Sequence, residues 1–204
     1  MTDISQKLFE PAFILVPFTS AYHKKYHASH LAKVLKKPQR TVLRRLEDLR
    51  KNNLLDYNSE GRNKYYYLNL SKASSFTLLV MLESYKELEF ISKHQDISLL
   101  LAELSKHSSI ILFGSYAKNL QKKESDIDLV IIGRKSKKTE KIIKKYPFEV
   151  NAHYLSLNLF KKQLWAGNHL ALEIAKDHIF FGEKEAIIKI LIDYYKRGKI
   201  SIGN

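Results

Sequence analysis

The sequence predicts a mixed α+β and α/β protein built from three parts. A small N-terminal module of helices and a hairpin leads through a helical connector to a C-terminal α/β module, whose short mixed sheet is flanked by helices. Three observations carry this reading. The first third places two helical patterns ahead of two β-prone runs around a Gly/Asn turn. Residues 73–106 contain neither Pro nor Gly and repeat apolar residues at helical spacing. From 107 onward short apolar runs alternate with helical segments, as strands alternate with helices. The expected divisions are 1–72, 73–106 and 107–204.

In the N-terminal part, residues 9–19 are mostly apolar and suit a first helix that Pro11 and Pro17 cut short. His27 to Leu35 carries Leu31, Val34 and Leu35 at helical spacing. A four-residue break, Lys36-Lys37-Pro38-Gln39, follows, and Pro38 fits the first turn of the next helix. That helix runs to about Asn52, with Val42, Leu43, Leu46 and Leu49 expected inward and Arg40, Thr41, Arg44, Arg45 and Lys51 outward. Leu54–Tyr57 and Lys64–Leu70 are β-prone, and the turn 58–63 joins them as a hairpin.

Helix, short turn, basic helix, hairpin is the order of a winged helix-turn-helix. The phrase Gly61-Arg62-Asn63-Lys64-Tyr65-Tyr66 resembles the wing of archaeal and bacterial winged-helix regulators. The resemblance implies DNA binding through residues 1–72. The 38–52 helix would enter a major groove, with Gln39, Arg40, Thr41 and Arg44 at base edges. Arg45, Arg62 and Lys64 would contact phosphates. Winged-helix folds also serve in dimerisation and protein docking, and that alternative stays open.

The connector repeats Phe76, Leu79, Leu82, Tyr85 and Leu88 at three-residue steps, with a break near 94–96 before a second helix to Leu104. Its broad apolar stripe suits covering a sheet face or forming the seam of a homodimer.

In the C-terminal part, Ser109–Phe113 begins the sheet and a helix over 115–122 follows. Residues 126–132 form the second strand, 137–145 a basic helix, and 148–155 the third strand. Helices are expected over 157–166, 168–177 and 184–197, with Phe180-Phe181-Gly182 punctuating them. The chemistry concentrates in residues 111–132. Gly114-Ser115 ends one apolar run, and Asp126-Ile127-Asp128 sits in the next. Strand alternation points Asp126 and Asp128 to one face. Two carboxylates so placed repel each other unless a cation lies between them, and a hard divalent ion such as Mg²⁺ is the natural partner. Gly114 lets backbone approach a phosphate closely. Ser115 offers a hydroxyl and an amide at a helix start, which favours anions.

Gly-Ser, ten residues, then Asp-x-Asp resembles the signature of polymerase-beta-like nucleotidyltransferases, most of all the minimal nucleotidyltransferases of archaea and bacteria. Gly114, Ser115, Ala117, Ser125, Asp126, Ile127, Asp128 and Leu129 match that pattern. Lys118 stands where Arg is usual and Asn119 where Gly is usual. The resemblance implies transfer of a nucleoside monophosphate from an NTP to a hydroxyl, with ATP the expected donor. Asp126 and Asp128 would hold two Mg²⁺ ions, and Gly114, Ser115 and Lys118 the phosphates. The family's third carboxylate falls on Asn151, and Glu149, two residues earlier, is the expected substitute. Minimal members paired with toxins implicate a separate HEPN-type toxin as the acceptor. Two alternatives stay open: a winged-helix regulator whose second module senses nucleotides without turnover, and an RNA-end modifier. His153, His169 and His178 lack metal-ligand spacing and read as packing or surface residues, and Tyr154, Trp165, Phe180 and Phe181 as core.

Composition narrows the classes further. The 204-residue chain is 45% hydrophobic, enough to bury a core, and carries no cysteine. Disulfides and thiolate metal sites are therefore excluded, and a reducing cytoplasm is expected. No 18-residue apolar run is present and the N-terminus lacks a signal-like segment, so no membrane association is expected. The net charge is +14, and it is densest early: residues 1–72 hold 14 Lys/Arg against 6 Asp/Glu. Such a surplus suits a polyanionic partner, nucleic acid first.

Overall fold

The computed structural model describes residues 13–122 and 125–200, with the side chains of 199 and 200 excepted. The chain divides into two compact units, one running to Leu82 and including the segment from Tyr195, the other Glu83–Tyr194. The four residues expected at the start of the first helix, 9–12, lie outside the described part. Beyond them Phe13 is helical, and after a turn at 14–15 the segment closes with a 3-10 helix, Val16–Thr19, with Pro17 in its first turn.

The first unit then runs through β1 (Tyr26–His27), α1 (Ala28–Val34), α2 (Gln39–Lys51), β2 (Leu55–Glu60) and β3 (Asn63–Leu68). β1, β3 and β2 form an antiparallel sheet in that order. β1 was not legible as a strand, because two residues carry no alternation. The hairpin is tighter than its composition suggests. Glu60 pairs with Asn63, so the turn is only Gly61-Arg62, and Gly61 takes φ +59°. A positive φ at that place is what a two-residue hairpin turn requires. In α2, Val42 and Leu46 are buried. Leu43, expected inward, is 41% exposed, because it lies about 100° around the helix from Val42. α1 and α2 both end with a left-handed residue, Lys36 at φ +50° and Asn53 at φ +59°. At each end the next two amides bond back to the last turn: Lys36 N to Lys33 O, Lys37 N to Ala32 O, Asn53 N to Arg50 O and Leu54 N to Leu49 O.

Helix α3 (Ala73–Lys93) is continuous, and His94 separates it from α4 (Gln95–Ser105). The second unit continues through β4 (Ile110–Leu112), α5 (Gly114–Ala117), β5 (Ile127–Ile132), α6 (Lys137–Lys144) and β6 (Val150–Leu155). After these come α7 (Leu157–Trp165), α8 (His169–Lys176), β7 (Ile179–Phe181) and α9 (Glu185–Ile200). Phe180-Phe181 is therefore a strand rather than punctuation. The sheet order is β6-β5-β4-β7, with β5 and β6 parallel and the other pairs antiparallel. This is the small mixed sheet with flanking helices that the sequence predicts.

Strand parity divides the sheet into two faces. Ile110, Leu112, Ile127, Leu129, Ile131, Ile179 and Phe181 join Phe90, Leu100, Leu104 and Ile142 in one buried cluster. The opposite face carries Asp126, Asp128, Asn151 and His153 at the starts of β5 and β6. The parallel pairing sets those two starts side by side. The antiparallel pairing brings the end of β4, and so Gly114, to the same end.

A buried ionic cluster lies between α3 and the start of β7. Glu83 and His178 are 0% and 1% exposed, with His178 Nε2 3.0 Å from Glu83 Oε1 and Lys86 Nζ 2.9 Å from Glu83 Oε2. Burial alone would push the Glu83 carboxyl up, but Lys86 and His178 hold it below the usual carboxylate range. Buried Lys184 pairs with Glu87. Among the described residues no helix is long and apolar enough to cross a membrane.

Candidate active site

Gly114 fixes the geometry at the end of β4. Its φ is +69°, and a Cβ there would lie 2.2 Å from Asp128 Oδ2 and 3.2 Å from Asp128 Cβ. Any L side chain there would be strained in its backbone and would have to displace the Asp128 side chain. The Phe113 amide donates to the Asp128 carbonyl at 3.1 Å, which locks the turn against β5. α5 is one turn, shorter than the expected 115–122. It ends because Asn119 takes φ +53°, with Asn119 N bonded to Tyr116 O and Leu120 N to Ser115 O. That backbone suits Gly, and Asn is among the side chains that best tolerate it.

Asp126 and Asp128 face the same way, both half-buried, and one side chain joins them. Asn151 is the register partner of Asp128 on β6. Its Nδ2 donates to Asp126 Oδ2 at 3.3 Å and to Asp128 Oδ1 at 3.3 Å. The amide nitrogen donates and the carboxylate oxygens accept. Glu149, the expected substitute, is exposed and precedes β6, and its carbonyl accepts from the Ile127 amide. Among the described residues no three His, Cys, Asp or Glu side chains come together to hold a metal. The structure thus brings Asp126, Asp128 and Gly114 together, with Asn151 rather than Glu149 completing the group.

Ser115 is half-buried beside Gly114. Lys118 caps α5, and its Nζ lies 2.5 Å from Glu173 Oε1 on α8, a hydrogen bond that raises the lysine pKa. Nothing local to residue 118 signals a partner 55 positions away, so the sequence reading missed Glu173. His153 is exposed on the Asn151 face, with its ring 6.0 Å from that of Phe113.

In the first unit, Gln39, Arg40 and Arg44 are exposed on α2, Thr41 and Arg45 are half-buried, and Arg62 is exposed in the hairpin turn. Lys64 is not a bare cation. Its Nζ is 3.1 Å from Glu47 Oε1 and 4.5 Å from the Tyr57 ring centre. Glu47 also accepts from the Tyr66 hydroxyl at 2.5 Å and from Arg50 Nε at 2.8 Å. The Tyr66 hydrogen bond leads in holding the Glu47 carboxyl down at about 2 against the opposing effect of burial. The role of Glu47 is likewise not legible in the sequence. Its position among outward charges on α2 gives no hint of the hairpin tyrosine it meets.

Residues 94–193 match the family model described as "Nucleotidyltransferase domain". No curated protein matches the chain. The family match supports nucleotidyl transfer in general, a chemistry that generally uses Mg²⁺ and an NTP. Two carboxylates on one face fit one hard cation with oxygen ligands. The amide between them adds no negative charge toward a second.

Proposed function

We propose that residues 94–193 bind a nucleoside triphosphate and transfer its monophosphate to a hydroxyl acceptor, releasing pyrophosphate. One observation carries this reading: the Asp126 and Asp128 carboxylates lie together against a glycine turn that no side chain blocks. In this reading Asp126 and Asp128 hold Mg²⁺, which when bound polarises phosphoryl oxygens and offsets the charge of the leaving group. Gly114 lets the chain approach the phosphates, and Ser115 donates to them from hydroxyl and amide. Lys118 reaches them by leaving Glu173, an exchange between two anionic partners. ATP is the proposed donor, and a tyrosine of a separate HEPN-type toxin the proposed acceptor. A reducing cytoplasm suits a chain without cysteine.

The first unit, in the same proposal, is a winged helix that binds duplex DNA through Gln39, Arg40, Thr41, Arg44, Arg45, Arg62 and Lys64. The run of exposed residues on α2 supports it. Lys64 contributes least, because its ammonium is already engaged by Glu47. Binding to labelled duplex should weaken steeply with salt. Arg40→Ala and Arg44→Ala should each weaken it more than Lys64→Ala.

A second reading has its own observation. Asn151 in place of a third acid favours a regulator that binds nucleotide without turnover. Labelled ATP, GTP, CTP and UTP with Mg²⁺ separate the two. Incorporation into a partner with pyrophosphate release, lost in Asp126→Ala and Asp128→Ala, supports transfer. Saturable binding without release supports the regulator.

A further inference from the structure

We infer that this site holds its nucleotide with a single divalent cation, and that Asn151 stands where a second would be held. The inference rests on the nucleotide-binding reading above and deepens it. Register puts Asn151 directly beside Asp128 on the parallel neighbour, not at a loop that could drift. Its Nδ2 lies 3.3 Å from an oxygen of each aspartate. The amide therefore uses carboxylate lone pairs that a bridging cation would need. Turning the amide over would present Oδ1 instead, a neutral ligand that adds no charge. Either way the protein supplies two negative charges, sufficient to neutralise one divalent ion. No third acidic side chain among the described residues makes up the difference.

Space is not the obstacle. Asn and Asp have nearly the same shape, and position 151 is exposed on an edge strand. Asn151→Asp would remove the two N–H donors and add a third carboxylate at the same place, with register and backbone unchanged. Even at the effective dielectric of a protein surface, a charge added a few ångströms from a divalent ion tightens its binding by at least about tenfold.

The test is Mn²⁺ electron paramagnetic resonance on the full chain in frozen solution, with a non-hydrolysable ATP analogue present. Two ions in one such site sit about 3.5–4 Å apart and couple magnetically, whereas one ion gives an uncoupled six-line spectrum. The wild type should give the uncoupled spectrum. Asn151→Asp should give the coupled one and bind its second Mn²⁺ at least about tenfold more tightly than the wild type. Asn151→Ala, which removes the donors without adding charge, should stay uncoupled. A coupled wild-type spectrum would overturn the inference and leave nucleotide binding standing. An uncoupled spectrum from folded Asn151→Asp, or a coupled one from Asn151→Ala, would overturn the charge argument. If fluorescent-nucleotide titration shows no Mn²⁺-dependent binding to the wild type, both the inference and the reading beneath it fall.

Discussion

Replacing Gly114 by alanine tests the site's architecture most directly. Two costs act at this position. The left-handed backbone at φ +69° costs a β-carbon about 1–2 kcal/mol. The new carbon would also overlap Asp128 Oδ2 at 2.2 Å, with Cγ at 3.1 Å and Cβ at 3.2 Å. Rotating the carboxylate away relieves the first contact but not the last, and overpacking of this kind costs about 1–3 kcal/mol more. Gly114→Ala should therefore destabilise by roughly 2–5 kcal/mol, the sum of those two terms. Gly167 is a matched control, with φ +72° and nothing within 4 Å of the place a Cβ would take, so Gly167→Ala should cost only about 1–2 kcal/mol. Urea denaturation of both variants gives the difference. Gly114→Ala with Asp128→Ala should then recover part of the loss, because the overlapping carboxylate is gone. Equal costs at 114 and 167, or strict additivity in the double variant, would refute the claim that Gly114 is there to clear Asp128. Nucleotide binding gives an independent readout, lost in Gly114→Ala and kept in Gly167→Ala.

Other positions make sharp predictions. Glu47 has a folded-state pKa of about 2 against an ordinary 4.5, so its contribution is complete above about pH 4.5 and is lost as pH falls toward 2. Glu47→Gln should cost on the order of 1–2 kcal/mol at pH 7, allowing for solvent screening, and almost nothing at about pH 2, read from urea midpoints. His178→Ala removes one of the groups that satisfy the buried Glu83 carboxylate and should cost about 2–4 kcal/mol in the same assay. Lys36 ends α1 at φ +50°, so Lys36→Gly should raise stability by up to about 1 kcal/mol, and a fall would refute the strain argument.

The parts that were legible in the sequence are those governed by short-range rules. Alternation alone put Asp126 and Asp128 on one face. The Pro at 38 marked the start of α2 to within a residue, whereas position 151 was reached only through the family resemblance, with Glu149 expected to act in its stead. What escaped was set by distance in the chain or by too few residues to carry a period. β1 and β7 are two and three residues long, and β7 is apolar throughout, so neither shows alternation. The length of α5 depends on one left-handed Asn, a conformation composition does not reveal. The pairs Lys118–Glu173, Glu47–Tyr66 and Glu83–His178 join residues 55, 19 and 95 positions apart. Each changes what its member can do, and only the folded chain brings them into contact.

Position 151 also bears on how this site could change over generations. Asparagine and aspartate codons differ in their first base alone, so one A-to-G transition rewrites the residue. No neighbouring side chain would need to adjust, and no intermediate genotype would have to survive. A lineage carrying this chain can thus gain or lose an acidic group at its most sensitive spot in one mutational step, and a laboratory selection that rewards the gain should find that transition early.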